Sequence, residues 1–210
     1  MIERLHLITR DMPDFGHLAQ AEAAVRAGVR WIQLRVKGVP RPEWLSMARD
    51  FVAICKEGKA TAIINDDVQI AKLSDADGVH LGVTDGSLVE AHQVLGEEKI
   101  IGSTANTEVD LLKAMIGGAD YIGVGPFRRS GTKRDLKPVL GLDGISCLRV
   151  AAQKFVERDV PLIAIGGITV DDLPDLMKVG VHGVAVSEAI LGGRNPQAEV
   201  RRFLEAAISY

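Results

Sequence analysis

The chain has 210 residues, room for one domain with a substantial core, and its 47% hydrophobic and 25% charged content is that of an ordinary soluble globular protein. Its 25 Lys and Arg against 28 Asp and Glu leave a net charge of −3, which argues against a general nucleic-acid surface. No apolar run reaches the ~18 residues of a membrane span, and the opening MIERLHLITRD carries acidic residues straight into a strand pattern, unlike a signal or transit peptide. The expectation is a cytoplasmic protein without membrane or nucleic-acid partners.

Short apolar or β-branched runs read as strands, and apolar spacings of three and four read as helices. In chain order, a strand at Leu5–Thr9 precedes a helix at Leu18–Ala27, and Trp31–Arg35 precedes Pro42–Cys55. Ala62–Ile64 then pairs with Val68–Leu73, Gly78–Leu81 with Leu88–Leu95, and Ile100–Ser103 with Glu108–Met115. Tyr121–Val124 is followed by Ile145–Phe155, Leu162–Ile165 by Val170–Val179, and Gly183–Val186 by Ala198–Ile208. Pro42 suits a first helical turn, Thr107 an N-cap, and Gly28, Gly117 and Gly180 the left-handed position after a helix. Eight alternations with strands apolar on both faces predict a parallel sheet, and the count selects a single-domain (β/α)8 TIM barrel over residues 1–210. The non-periodic stretch Pro126–Asp143 is too long for a simple connection and reads as a functional loop.

Polar residues gather where the strands end, and in a closed barrel those βα loops converge on one face. Asp66 and Asp85 follow the third and fourth strands, bringing two hard oxygen ligands to one rim, a set suited to Mg²⁺. Asp67 is left to cap the next helix. Period-two alternation puts Gln33, Arg35 and Lys37 on one side of the second strand and Leu34 and Val36 on the other. Arg supplies a planar fork for pyrophosphate and Lys a point charge. Arg128, Arg129, Lys133, Arg134 and Lys137 crowd one loop, where Ser130-Gly131-Thr132-Lys133 reads as an anion-handling turn without the form of a nucleotide-hydrolysing P-loop. Gly166-Gly167 follows the seventh strand, the usual phosphate seat of such barrels. Cys55 and Cys147 read as buried reduced thiols, and His6, His17, His80, His92 and His182 show no metal-ligand spacing. His6 and His80 alternate with apolar residues as structural strand histidines would. Two phosphate-type sites beside an acidic pair imply small phosphorylated substrates: a pyrophosphate donor and a phosphorylated acceptor.

The order QLRxKG, INDD, GVHLG, GST, YIGVGPF, TK, IAIGGI and GVAV resembles the thiamine-phosphate synthase (thiamine-phosphate pyrophosphorylase) family from Leu5 to Ile190. The resemblance implies an enzyme of thiamine biosynthesis, a Mg²⁺-dependent transferase condensing hydroxymethylpyrimidine pyrophosphate with hydroxyethylthiazole phosphate and releasing pyrophosphate. Carried over by motif, Asp66 and Asp85 hold Mg²⁺, and Arg35, Lys37, Asn65 and Lys133 bind the pyrophosphate. Arg35, Lys37 and Lys133 act on the leaving group. Thr104 stands where the family commonly has Ser, and Gln33 contacts the pyrimidine. Ser130, Thr132 and the Gly166-Gly167 backbone hold the thiazole phosphate. The chain departs from the family pattern at Val83-Thr84, Asn106, Arg128-Arg129 and Glu188, the last placing a carboxylate near the second phosphate. Two alternatives stand beside this reading: a thiazole tautomerase-like paralogue, disfavoured because Gly125-Pro126-Phe127 lacks its His, and a non-catalytic phosphate-ligand-binding barrel. The sequence leaves homo-oligomer assembly open.

Overall fold

A computed structural model of the chain describes residues 1–129, 138–154 and 159–208. Eight parallel strands close in sequence order: β1 (Leu5–Ile8), β2 (Trp31–Leu34), β3 (Thr61–Asn65), β4 (Gly78–Leu81), β5 (Ile100–Ala105), β6 (Tyr121–Val124), β7 (Leu162–Ile165) and β8 (Gly183–Val186). Around them run α1 (His17–Ala27), α2 (Arg41–Glu57), α3 (Val68–Ser74), α4 (Leu88–Leu95), α5 (Glu108–Ile116), α6 (Gly141–Gln153), α7 (Leu173–Lys178), α8 (Glu188–Leu191) and α9 (Pro196–Ile208). This is the expected (β/α)8 barrel.

Alternation along each strand divides the core in two. Outward residues such as Leu34, Ile64, Val79 and Ile122 pack beneath the helices, whereas Ile8, Trp31, Ile63, Tyr121, Ile163 and Ala185 fill the barrel. Inside, His6 stacks on Trp31 at 4.4 Å, and Trp31 meets Tyr121 edge-on at 5.3 Å. The Tyr121 ring fits because its β5 neighbour is Gly102, where an added Cβ would lie 2.2 Å from the ring. Burial opposes a charge on His6 and pushes it down to about 3, so it is a neutral filler bonded to the Glu3 carbonyl.

Several details differ from the sequence-based expectation. The stretch Val170–Val179 breaks into a 3₁₀ turn at Val170–Asp172 and then α7, with Pro174, which has no N–H to donate, in the first turn of the helix. After α5 the left-handed residue is Gly118 (φ 84°), one place beyond Gly117 (φ −72°). Cys55 is buried but Cys147 is exposed, because it lies on the outer face of α6. Thr107 does cap α5, in a reciprocal capping box with Asp110.

Candidate active site

The acidic pair assembles on the C-terminal rim. Strand β3 ends at Asn65, which is buried, and Asp66 turns into the left-handed region at φ 69° while its amide still bonds the His80 carbonyl of β4. Asp67 then leaves the rim: its carboxylate caps α3 through the Ile70 amide and takes both nitrogens of Arg41, at 2.9 and 3.2 Å. Asp66 accepts from Lys37 Nζ at 2.5 Å and lies against Asp85, whose carboxylate is fixed by the Gly82 amide at 2.8 Å. Burial opposes ionisation of Asp66, but Lys37 and the Asp85 contact outweigh it and hold its carboxyl low. Burial and the neighbouring Asp66 push Asp85 up. One lysine thus faces two crowded carboxylates, which are hard oxygen donors.

Other predicted residues lie in the loop beyond β2 or inside the barrel. Strand β2 stops at Leu34, so Arg35 and Lys37 belong to the loop beyond it, although Leu34 and Val36 still enter the helix-facing core as alternation required. The Arg35 amide is tied to Thr9 Oγ1 at 3.1 Å. A groove of about 280 Å³ runs past Val36, Lys37, Trp44, Asp66 and Asp67. A larger cavity of about 370 Å³ opens at the other end of the barrel, near Lys59, Asp77 and Lys99, and touches none of these residues. Inside the barrel, buried Gln33 reaches the Tyr121 hydroxyl. Thr104 is bonded to His80 Nε2 at 2.9 Å, and His80 Nδ1 to Tyr121 at 3.0 Å. His80 and Tyr121, which sequence reasoning did not assign to the site, therefore link two residues that it did. Only strand register brings β4, β5 and β6 together at that level.

The opposite side of the rim is built differently. Gly166 and Gly167 follow β7 at φ 104° and 64°. Arg128 grips this turn, donating to the Gly167 carbonyl at 2.8 Å and, with both terminal nitrogens, to Asp172 at 2.6 and 2.7 Å. The sequence placed Arg128 among anion-handling cations, whereas the structure commits its guanidinium to another loop. Burial opposes the Asp172 charge, but Arg128 and Thr169 outweigh it and hold that carboxyl low. Glu188, at the start of α8, is paired with Arg10 beyond β1, which offsets its charge. Asn106 holds the Gly125 carbonyl at 2.5 Å, steadying the exit of β6. Ser130, Thr132 and Lys133 lie outside the described residues. Among the described residues no group of three or more His, Cys, Asp or Glu is arranged to hold a metal, so a cation here would rest on the two carboxylates and its other ligands.

A βα barrel with an acid–lysine cluster on one side of its C-terminal rim and a glycine turn after β7 on the other has the arrangement of a barrel that handles phosphorylated small molecules. The family profile described as thiamine monophosphate synthase (TMP-TENI) matches residues 5–190, and the chain belongs to that family. It is 42% identical over 200 residues to the thiamine-phosphate synthase of Bacteroides thetaiotaomicron, covering 95% of each chain. It is 43% identical to that of Phocaeicola vulgatus, covering 95% of this chain and 96% of the other. The solved thiamine phosphate pyrophosphorylase from Pyrococcus furiosus superposes with a TM-score of 0.84 at 27% identity, over 98% of this chain and 96% of that one. No helix among the described residues is long and apolar enough to cross a membrane.

Proposed function

We propose that this chain condenses hydroxymethylpyrimidine pyrophosphate with hydroxyethylthiazole phosphate, giving thiamine phosphate and pyrophosphate with the help of Mg²⁺. The observation that carries the reading is the Lys37–Asp66–Asp85 cluster, in which two adjoining carboxylates share one lysine. Such a pair fits Mg²⁺, which takes one or two carboxylates and completes its shell with phosphate oxygens and water. When bound, the metal supplies charge stabilisation to the leaving pyrophosphate.

The chain's own residues do the rest. The C–O bond from the pyrimidine methylene to the pyrophosphate breaks, its electrons leave on oxygen, and the thiazole nitrogen lone pair closes a new C–N bond. That nitrogen carries no proton, so no general base is required. Charge builds on the departing group, and a preorganised cation clamp aimed there is an effective catalyst. Lys37, at the Asp66 side of the rim, and Arg35, just beyond β2, supply that clamp. On the family resemblance, Lys133 joins them, and Ser130 and Thr132 hold the acceptor phosphate. Asn65 ends β3 beside the pair and binds the pyrophosphate. Gln33, buried in the barrel beside Tyr121, bonds the pyrimidine, and Thr104 is linked to it through His80 and Tyr121. The Gly166-Gly167 turn, with no side chains in the way, seats the acceptor phosphate.

The test is pyrophosphate release with both substrates present, with and without EDTA. Release that needs both substrates and stops in EDTA supports the proposal. Full activity in EDTA removes the metal, and no release with the thiazole phosphate removes the synthase reading.

A further inference from the structure

The Gly166-Gly167 turn takes its shape from a side chain on another loop. Arg128 donates its backbone N–H to the Gly166 carbonyl at 2.9 Å and its guanidinium to the Gly167 carbonyl at 2.8 Å. In a planar trans peptide the C=O and the next N–H point in opposite directions. With both carbonyls drawn toward Arg128, the N–H groups of Gly167 and Ile168 face the other way. The approach is close enough to require glycine: a Cβ on Gly167 would lie 2.4 Å from Arg128 Cγ, and its φ of 64° is one that L side chains rarely adopt.

Arg128 is itself immobilised. Asp172 Oδ2 accepts from Arg128 Nη1 at 2.6 Å, from the Thr169 amide at 2.7 Å and from Thr169 Oγ1 at 2.8 Å, while Oδ1 accepts from Arg128 Nη2 at 2.7 Å. The guanidinium also lies over the Phe127 ring, 4.6 Å from its centre. A forked ion pair of this geometry fixes direction as well as charge. One carboxylate therefore joins the loop after β6, which leads on toward Lys133, to the turn after β7.

We infer that Arg128 and Asp172 are positioning residues for the acceptor: Arg128 does not bind the phosphate but, held by Asp172, aims the Gly167 and Ile168 amides at it. The inference rests on the reading of this turn as the acceptor's phosphate seat. It gives Arg128 a role opposite to the one its place in a basic loop implies. A direct phosphate ligand gains freedom when its carboxylate partner is removed, whereas a strut loses its anchor.

The two roles separate in steady-state kinetics of Arg128→Gln, Arg128→Lys, Asp172→Asn and the double variant Arg128→Gln/Asp172→Asn. Each single variant should raise the acceptor KM about tenfold and change the donor KM and kcat less than about twofold, and the double variant should be no worse than the worse single one. Arg128→Lys keeps the charge but not the fork, so it too should fail. An acceptor KM that rises in Arg128→Gln yet stays level or falls in Asp172→Asn would overturn the proposal, as would equal losses for both substrates or none. A second readout is independent of turnover: backbone amide NMR during titration with inorganic phosphate. Shifts at Gly167 and Ile168 in the wild type that vanish in Arg128→Lys support the inference even if no thiamine phosphate forms. Undiminished shifts in the variant overturn the positioning role alone, and none in the wild type overturns the phosphate seat with it.

Discussion

The two sides of the rim hold similar charges and balance them in opposite ways. After β7 and β8 two carboxylates each have their own arginine, Asp172 with Arg128 and Glu188 with Arg10. After β3 and β4, Asp67 is matched by Arg41 and Asp66 by Lys37, but Asp85 crowds Asp66. Charge on the first side serves as scaffolding, setting the direction of a glycine backbone. On the second, among the described residues, two crowded carboxylates stand beside one lysine, which is the setting we propose for Mg²⁺. The difference teaches that charge density alone does not say whether a charged side chain is paired within the fold or left to a ligand. The basic run Arg128–Lys137 is the densest charge in the sequence, and its first member turns out to be a strut.

The comparison is broken most sharply at the acidic pair. Asp66→Asn and Asp85→Asn should each lower kcat roughly 10²-fold or more, the scale of losing metal-assisted charge stabilisation. Neither should unfold the barrel, since the change relieves crowding between carboxylates. Steady-state kinetics with thermal denaturation checks both halves, and wild-type turnover in Asp66→Asn at saturating Mg²⁺ would reduce Asp66 to a turn residue.

The balanced side should respond far less. Glu188→Gln removes one member of a solvent-accessible ion pair, which is worth about 1 kcal/mol at most. Denaturant unfolding should move by no more than that, and kcat should stay within about twofold. A loss of turnover comparable to that of Asp66→Asn would show that this side, too, uses its charge for chemistry.

Much of this was legible in the sequence. Apolar β-branched runs alternating with amphipathic ones gave the barrel, and the polar ends of those runs located the rim. The division between Asp66 and Asp67 was readable because an Asp directly before a helix has an obvious use as its cap. What escaped were contacts fixed by register or by long separation. Arg128 finds Asp172 across 44 residues, and no local pattern distinguishes a paired arginine from one awaiting phosphate. His80 was visible as a strand histidine, yet only the β4–β5–β6 alignment sets it and Tyr121 between Thr104 and Gln33. The break before α7 was readable in Pro174 but was overridden by the apolar spacing around it. Cys147 was misplaced because a small apolar residue on a helix was assigned to the buried face.

Calorimetric titration of Mg²⁺ into the protein with pyrophosphate present decides whether the Asp66–Asp85 pair is a Mg²⁺ site completed by pyrophosphate. The account predicts a saturable site in the wild type that weakens at least about tenfold in both Asp66→Asn and Asp85→Asn while both variants remain folded. Binding of equal affinity in the wild type and the two variants would contradict it.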